Sequence, residues 1–395
     1  MVLREVLITA AARTPIGKYG GVFRSMHAAE LGAVAARAAL DRAGVNRDAV
    51  DEVLMGQARQ AGSGPNPARQ VAHRAGIPSG IPAQTINKAC ASGIQAVATA
   101  AQAIACGDAD VAVAGGIESM SRMPYLIDPD DARWGRRMGN FALVDAMYRD
   151  GFHDPLSGLM MGETVEELAR EYEITRAESD AYALESHRRA ECAIEAGRFT
   201  DEIVPVTVSG TDVVVDQDEH PRAGITIESL GGLAPVFQIG GRPGILTAGS
   251  SSGITDGGAA LVLMAAGRTN GRRPLARVLG WASAGVDPRK MGIGPVPAVR
   301  KLLARLGLTL DDFDLIELNE AFAAQVLAVL RDLPIRRDRL NVNGGAIALG
   351  HPIGCTGARI LVTLIHEMQR RKAKRGLATL CVSGGMGMAM AIEAL

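Results

Sequence analysis

The stretch that decides the fold runs Gln84-Thr-Ile-Asn-Lys-Ala-Cys-Ala-Ser-Gly-Ile-Gln-Ala-Val97. Residues 81–86 are mostly apolar and predict the end of a buried strand, while residues 91–106 predict a long helix. Cys90 then lies on the turn between them, at the positive end of the helix. That place is expected to lower the pKa of the thiol and favour the nucleophilic thiolate. The same pattern also fits a small, buried core cysteine.

The composition indicates a tightly wound α/β protein. The chain has 395 residues, 47% hydrophobic and 22% charged, with 47 glycines, a length that suits two or three compact units. Because the net charge is only −1, no nucleic-acid partner or membrane surface is expected, and an anionic ligand must be held by local groups. Apolar runs are short and the first residues lack a signal-peptide layout, so we expect no membrane span and a cytoplasmic location.

The cysteines are an odd set of five, spread along the chain, which favours free thiols over a disulfide framework. They are Cys90, Cys106, Cys192, Cys355 and Cys381. Cys106 and Cys192 fall on helical patterns and, like Cys355, are expected to pack in the interior. No Cys-x-x-Cys pair occurs, and His351 with Cys355 is too little for a zinc site, so no metal is expected.

Short apolar runs alternate with helical patterns in the first part of the chain. We predict strands at 5–12, 51–55, 81–86 and 109–114, and helices at 30–43, 66–74 and 91–106. Alternation at this spacing indicates a largely parallel sheet with helices on both faces.

From Glu118 the pattern changes. Residues 120–162 lack clear periodicity, helical patterns resume at 164–171 and 176–196, and residues 201–215 alternate like two exposed strands. Long insertions on rigid scaffolds commonly carry binding groups, so we interpret residues 119–250 as a loop domain that covers a substrate site.

The remainder repeats the rhythm of the first half. We predict strands at 259–265, 275–284, 315–318 and 377–382, and helices at 296–306, 321–330 and 354–371, with a boundary at 269–273. Cys381-Val-Ser-Gly echoes Cys90-Ala-Ser-Gly at a strand end, which suggests a duplication bringing two thiols to one interface. The N-terminal half is then 1–118 with 251–270, and the C-terminal half is 271–395.

Four stretches place a polar or thiol residue beside small residues near a strand end or a helix start. They are Asn87-Lys-Ala-Cys-Ala-Ser-Gly, Asn319-Glu-Ala-Phe-Ala, Gly350-His-Pro-Ile-Gly-Cys and Cys381-Val-Ser-Gly-Gly-Met-Gly. Taken singly, His351 fits a turn histidine and Asn319 a helix N-cap. Their joint order resembles the thiolase family from Leu3 to Leu395.

Further stretches carry the same resemblance. They are Gly115-Gly-Ile-Glu-Ser-Met-Ser, Met161-Gly-Glu-Thr, Thr247-Ala-Gly-Ser-Ser-Ser-Gly-Ile-Thr-Asp-Gly and Met291-Gly-Ile-Gly-Pro-Val-Pro-Ala. The resemblance implies an α/β protein with the duplicated thiolase fold: two five-stranded mixed sheets in α-β-α-β-α layers, plus the inserted loop domain.

The resemblance also implies ping-pong acyl transfer between coenzyme A thioesters, with no permanently bound cofactor. Cys90 would attack a 3-ketoacyl-CoA, acetyl-CoA would leave, and coenzyme A would take the acyl group. The Claisen condensation is the reverse. His351 would be the base that activates Cys90, since imidazole titrates near neutral pH, and Cys381 the second acid/base. Asn319 would hold a water that helps stabilise the enolate, and the backbone N–H groups of Cys90 and residue 383 would form the other oxyanion hole.

Four residues match coenzyme A contacts of the family. Ser252 matches a pantetheine-contacting serine and Arg222 an arginine near the adenine nucleotide, while Ser229 and Phe237 match weaker ligand positions. The alternatives are ordinary: a solvated arginine, a helix-cap serine and a core phenylalanine.

Three positions depart from the family pattern. Ser383 stands where the family usually has glycine, so a positive φ there would be strained. Met160 stands where short-chain biosynthetic members commonly have histidine, which leaves room for longer acyl chains. The usual Asn-Ala-Ser is Ser250-Ser251-Ser252.

Two other functions remain open on the sequence. One is a carrier-protein-dependent condensing enzyme, although such enzymes pair the cysteine with two histidines or with histidine and asparagine. The other is an inactive acyl-CoA-binding relative. The resemblance implies a homodimer or homotetramer, and leaves open the acyl chain length and the direction of the reaction.

Overall fold

The computed structural model describes residues 3–269, 271 and 273–395. Part of the predicted boundary at 269–273 lies outside these residues, as do the first two positions of the predicted N-terminal half. The main strands are β1 Val6–Arg13, β2 Glu52–Gly56, β3 Ala83–Ile86, β4 Val111–Ser119, β5 Thr255–Ala265, β6 Ala276–Gly285, β7 Leu315–Leu318, β8 Arg375–Val382 and β9 Met386–Ala394.

The longer helices are α1 Ala28–Ala43, α2 Pro67–Arg74, α3 Ser92–Cys106, α4 Met161–Glu171, α5 Arg176–Glu195, α6 Pro295–Leu306, α7 Ala323–Asp332 and α8 Ile353–Arg371. Their ends follow local sequence signals. Asn66 caps α2, whose first residue is Pro67, and Gly107 ends α3 with φ of +96°.

The strands form two groups joined edge to edge. The order is β3-β2-β4-β5-β1 in the first group and β6-β9-β8-β7 in the second, and the short strand Gly17–Lys18 pairs with β5. The groups meet where Leu7 and Ile8 of β1 pair with Arg277 and Ala276. The resemblance implied five strands in each group, whereas the second group has four in the described chain, with a single bridge between Ile316 and Leu340 beside β7.

Helices cover both groups and fill the space between them. Helices α1 and α2 pack on the outer face of the first group, α6 covers the outer face of the second, and α3 with α8 lie in the central layer. The central layer is the largest apolar core and takes residues from both groups of strands. The predicted layered α/β fold is confirmed.

The two halves repeat one order of elements. In the first, β1, α1, β2, α2, β3, α3, β4 and β5 follow each other, and β6, α6, β7, α7, the Leu340 bridge, α8, β8 and β9 follow in the second. Strand β8 therefore corresponds to β4, and α8 to α3. The predicted equivalence of the Cys90 and Cys381 strand ends is wrong, because the counterpart of the Cys90 turn is the His351 turn before α8.

The insertion between β4 and β5 carries α4 and α5 and several short elements. The short helical turns are Met120–Arg122, Pro129–Ala132, Met147–Phe152 and Ile227–Gly231. The short strands pair 125–126 with 144–145, 153–154 with 159–160, 206–207 with 214–215, and 238–239 with 242–243. The alternating pattern at 201–215 thus becomes one short hairpin. The C-terminal half has further short helices at Pro288–Ile293 and Ala346–Leu349.

One strand differs in burial from its prediction. Strand β3 precedes Cys90 and was expected to be buried, but its residues are half-buried or exposed. The reason is topological, because β3 is the edge strand of the first group and pairs only with β2.

Candidate active site

Parallel strands bring the candidate residues to common edges of the two groups. Strands β2, β3 and β4 are parallel, so the segments after Gly56, Ile86 and Ser119 meet at one edge. Strands β7 and β8 are also parallel, and Asn319 and Ser383 follow them. Loops at the carboxyl ends of parallel strands are the usual place for a ligand site in α/β proteins.

Cys90 lies on a tight turn held by its neighbours. Ala89 takes φ of +45°, a left-handed conformation that costs a non-glycine residue about 1–2 kcal/mol. The Asn87 Oδ1 accepts the Ala89 N–H at 3.0 Å, and the Ser92 hydroxyl donates to the Ala89 carbonyl at 2.6 Å. These bonds fix Cys90 two residues before the start of α3.

The electrostatics of Cys90 differ from the sequence prediction. Burial raises the pKa of the Cys90 thiol, and the Arg59 charge and the N–H groups of Ser383 and Cys90 offset only part of this effect. The predicted lowering of the thiol pKa at the helix start is therefore wrong. The resting group is therefore the neutral thiol.

The His351 ring is held in one tautomer by its neighbours. Its Nδ1 lies 2.6 Å from the Thr356 Oγ1, and that hydroxyl donates to the Pro352 carbonyl at 3.0 Å. Since a carbonyl only accepts and the hydroxyl has one proton, Nδ1 carries the ring proton and Nε2 keeps its lone pair. Burial, with the Arg359 and Arg59 charges, lowers the His351 pKa to about 3, so the expected titration near neutrality is wrong.

The two helix starts approach each other closely. A Cβ on Gly93 would lie 2.7 Å from the Ala358 nitrogen, and a Cβ on Gly354 would lie 2.6 Å from the Ala58 nitrogen. Both distances are too short for any side chain. Gly93 therefore lets the start of α3 pack against α8, and Gly354 lets the start of α8 pack against the segment after β2.

Cys381 is buried at the end of β8, and burial together with the neighbouring Cys90 raises its pKa. The expected lowering by a helix end or a histidine is wrong here as well. After Cys381 the chain turns sharply at Gly384 and Gly385, which take φ of +81° and +79°. Ser383 is not among the described non-glycine residues with positive φ, so the strain expected from serine at this position is absent.

Asn319 is buried near the site but does not line the cavity described below. Helix α7 is capped at Phe322, which excludes the simple N-cap interpretation of Asn319. Its backbone N–H donates to the Thr379 carbonyl at 3.0 Å, while both polar side-chain atoms lack a partner among the described residues. Buried amide atoms of this kind are the groups that an ordered water satisfies.

Cys90, His351 and Cys381 line one cavity of about 540 Å³. Its wall also contains Met160, Phe237 and Ser252. The structure therefore brings the three predicted reactive side chains to one space, with room for a ligand beside them.

Comparisons with known proteins decide the family. The thiolase N-terminal domain model matches residues 6–267, and the thiolase C-terminal domain model matches residues 272–394. The chain belongs to the thiolase family. The predicted enzyme class, an acyltransferase of this family, is thereby confirmed together with the fold.

Individual relatives agree over nearly the whole chain. An acetyl-CoA acetyltransferase of Pseudomonas aeruginosa is 52% identical over 99% of both chains. The crystal structure of the Bacillus anthracis acetyl-CoA acetyltransferase is 48% identical, with a TM-score of 0.96 and full coverage of both chains. Human mitochondrial 3-ketoacyl-CoA thiolase in complex with CoA is 42% identical, with a TM-score of 0.95, covering 100% of this chain and 99% of that one.

The predicted coenzyme A contacts of this thiolase divide into two sets. Ser252, Phe237 and Arg222 line the cavity, and Arg222 is exposed. Ser229 is exposed and away from the cavity wall, where it bonds Thr226 at the start of the helix Ile227–Gly231. Its helix-cap interpretation thus accounts for its contacts, and its role toward coenzyme A stays a prediction.

Three further residues bear on the site and were not singled out from the sequence. Thr356 orients His351, and Arg59 lines the cavity. The Glu118 carboxylate accepts the N–H groups of Gly354, Ala58 and Arg59 at 2.8–3.2 Å, and burial raises its pKa to about 7. Arg59 and Glu118 lie at the carboxyl ends of β2 and β4, which is a sequence signal that could have found them. Thr356 gives no comparable signal.

The remaining cysteines differ in their surroundings, although all five are free. Cys355 is buried in the central core as predicted, and burial raises its pKa to about 12. Cys106 and Cys192 are exposed, so their predicted packing is wrong, because each lies on the solvent side of its helix. Among the described residues, no group of three or more His, Cys, Asp or Glu is placed to hold a metal.

One segment has the length and composition of a membrane span. It is Ala89–Cys106, with mean hydropathy of 1.3. This segment is therefore an exception to the expectation that the apolar runs of the sequence are too short to span a membrane. Most of this segment is α3, which packs against α8 in the central layer. Burial between the two groups of strands accounts for its apolar composition.

Proposed function

We propose that this thiolase cleaves a 3-ketoacyl-CoA with coenzyme A to acetyl-CoA and a shortened acyl-CoA, or catalyses the reverse Claisen condensation, through an acyl-Cys90 intermediate. The observation that carries the proposal is the meeting of Cys90, His351 and Cys381 at one cavity. The names of the relatives support acetyl-CoA as a substrate or product, and the CoA complex of the human enzyme supports coenzyme A as the second substrate.

In the first step Cys90 attacks the keto carbon. His351 Nε2 takes the thiol proton, because its Nδ1 is protonated and bonded to Thr356. Both groups are neutral before the step, so the proton moves as the sulfur–carbon bond forms. We assign the N–H groups of Cys90 and Ser383, which already point at the Cys90 sulfur, to the oxyanion hole.

The second step breaks the bond between C2 and C3 of the substrate. The electron pair stays on C2 of the departing acetyl-CoA as an enolate, and Cys381 gives its proton to that carbon. A raised pKa keeps Cys381 protonated until then. Water held at Asn319, together with His351, would stabilise the enolate oxygen, which fits the unpartnered amide of Asn319.

The last step restores the enzyme. The Cys381 thiolate removes the proton of coenzyme A, whose sulfur attacks the acyl-Cys90 carbonyl. The Cys90 sulfur then leaves and recovers its proton from His351. Condensation runs the same steps backwards, with Cys381 removing a C2 proton of acetyl-CoA.

The decisive experiment mixes the protein with acetoacetyl-CoA and coenzyme A and follows the loss of enolate absorbance. We expect turnover, and one added acetyl group on intact protein after incubation with acetyl-CoA. Absence of both with every 3-ketoacyl-CoA would favour the inactive relative. Turnover only with thioesters of an acyl carrier protein would favour the condensing enzyme.

We also propose a cytoplasmic homodimer or homotetramer. Large apolar side chains are exposed on the segment 125–148, among them Trp134, Met138 and Phe141 at 73%, 90% and 54% exposure. The free thiols fit a reducing compartment. Light scattering after gel filtration should give a multiple of the chain mass, and a monomer at micromolar concentration would contradict this part.

A further inference from the structure

The charges on the wall of the active-site cavity are all of one sign. Lys18, Arg59 and Arg222 line it, and no aspartate or glutamate does so within the described chain. Lys18 and Arg222 are exposed, whereas Arg59 is half-buried. Arg59 is therefore the cation that a bound substrate would desolvate most.

Arg59 is held in place, and its guanidinium forms no close ion pair within the described chain. Its Nη2 donates to the Gly151 carbonyl at 2.6 Å, and its backbone N–H is bound by Glu118 at 3.2 Å. Its Nε is buried and has no hydrogen-bond partner among the described residues. Within the described chain the Arg59 guanidinium has no ion-pair partner within 4.0 Å, although its charge acts on the buried Glu118 carboxyl from a longer distance. A guanidinium with free donors in an enclosed space is suited to a planar anion.

The acyl group on Cys90 would lie beside this guanidinium. Cys90 packs against an apolar cluster that includes Ala58, Met147, Phe152 and Ile353. Arg59 follows Ala58 in the chain, and its bond to Gly151 lies next to Phe152. An acyl chain on the Cys90 sulfur that follows this cluster would lie near Arg59, which lines the same cavity and whose charge acts on the Cys90 thiol.

Arg59 also acts on Cys90, since its charge favours the thiolate against the larger effect of burial. An unsubstituted acyl chain would also cover the guanidinium without pairing it, and burying an unpaired charge is costly.

We propose that Arg59 makes this thiolase selective for 3-ketoacyl-CoA substrates whose acyl chain ends in a carboxylate. The inference rests on the proposed function, because it names the substrate class of the same cavity. The terminal carboxylate would accept a hydrogen bond from the unpartnered Nε of Arg59, while the methylenes between lie on the apolar cluster. The bonds that break and form at Cys90 are unchanged.

The test compares thiolysis of ω-carboxylated 3-ketoacyl-CoA thioesters of six to eight carbons with that of the unsubstituted thioesters of equal length. At one of these chain lengths we expect kcat/KM to be about 10- to 100-fold higher for the carboxylated thioester than for the unsubstituted one. This ratio corresponds to the free energy of a hydrogen bond between charged groups. Arg59→Leu should reduce this ratio to about one or below, and Arg59→Lys should retain part of it. Arg149→Leu is the matched control, since Arg149 lies two residues from Gly151, the hydrogen-bond partner of Arg59, pairs with Asp150 on the surface and does not line the cavity.

The outcomes separate the inference from the proposed function. If acetoacetyl-CoA is cleaved but no pair shows a preference for the carboxylate, the inference is wrong and the thiolase function stands. Arg59→Leu could instead slow both members of each pair equally and raise the pH at which iodoacetamide alkylates Cys90. The role of Arg59 would then be to lower the pKa of the Cys90 thiol, and the inference would again be wrong. If no 3-ketoacyl-CoA is cleaved and Cys90 is never acylated, the proposed function fails and the inference fails with it.

Discussion

The turns at Cys90 and at His351 occupy matching places in the two halves, each two residues before a central helix. One supplies a thiol and the other an imidazole. Burial raises the pKa of the thiol and lowers that of the imidazole, so both groups rest in their neutral forms. The difference teaches how a duplicated scaffold can bring two unlike groups together: two equivalent helix starts meet, and in the proposed mechanism one carries the proton donor while the other carries the acceptor.

Removing the thiol should have the largest effect. Cys90→Ser replaces the nucleophile by a far weaker one and should reduce turnover by roughly 10⁴-fold or more while the fold is retained. The intact mass of the wild-type protein should increase by one acetyl group that maps to Cys90, and Cys106→Ser, at an exposed cysteine, should leave both results unchanged. Acetyl label on another cysteine would overturn the assignment.

Removing the imidazole tests the other side of the pair. His351→Asn should slow acylation of Cys90 by about 10²- to 10⁴-fold, because general base catalysis is lost. Because the His351 pKa is about 3, the wild-type imidazole stays unprotonated between pH 5 and 8. Its protonation should therefore not reduce the acylation rate anywhere in this pH range. Since the Cys90 pKa is raised, alkylation by iodoacetamide should still increase above pH 9. An alkylation rate that is already constant below pH 7 would show a preformed ion pair.

The sequence was enough to predict much of this site, for reasons that differ from residue to residue. Short apolar runs gave the strands and the layered class, and the order of four motifs gave Cys90, His351, Cys381 and Asn319. The correspondence of the halves needed the strand order, because Cys90-Ala-Ser-Gly precedes a helix while Cys381-Val-Ser-Gly precedes a hairpin. Thr356 needed the folded chain, since its role comes from a contact made through space, whereas Arg59 follows a strand end and so had a signal in the sequence.

The pKa directions needed the structure for a different reason. A helix start favours the thiolate of Cys90, and this effect can be predicted from the position of the residue alone. Burial opposes it, and burial depends on how closely α3, α8 and the inserted segment cover the turn. Burial has the larger effect on the Cys90 pKa, and it cannot be predicted from the residues next to Cys90 in the sequence.

Cys381 has no counterpart at a helix start, so its removal should separate the two half-reactions. Cys381→Ser should still allow acetylation of Cys90 by acetyl-CoA. It should slow exchange of the acetyl-CoA methyl protons with solvent deuterium by about 10²-fold or more, because the C2 acid/base is lost. The measurement is proton NMR of acetyl-CoA in deuterium oxide. Exchange at the wild-type rate would assign the C2 proton to another group.

Thr356 orients only the imidazole of the pair, so a smaller effect is expected. Thr356→Val removes the acceptor of the Nδ1 proton, and loss of one neutral hydrogen bond should slow acylation by about 3- to 10-fold. The nitrogen chemical shifts of labelled His351 should show a mixture of tautomers in this variant, and Thr356→Ser should restore one tautomer. Thr363→Val is the matched control, because Thr363 is buried on the same helix and bonds Glu202 instead. A single Nδ1–H tautomer in Thr356→Val would mean that Thr356 only packs.

The smallest expected effect concerns Met160, which is on the inserted segment and outside both halves. Met160 lines the cavity and pairs with His153 in a short hairpin. At this position short-chain biosynthetic members commonly have histidine, and here a flexible apolar side chain lies at the wall instead. Each methylene that it helps to bury contributes at most about 0.8 kcal/mol, or roughly fourfold in kcat/KM. Because methionine can rotate aside, several chain lengths should be accepted. We therefore expect kcat/KM for thiolysis of 3-ketohexanoyl-CoA or 3-ketooctanoyl-CoA to equal or exceed that for acetoacetyl-CoA, and Met160→His to shift the preference back toward acetoacetyl-CoA. If the wild-type enzyme accepts only the four-carbon substrate, we would instead assign this chain to acetoacetyl-CoA synthesis. The cavity wall at Met160 would then limit the length of the acyl chain and would not accommodate longer ones.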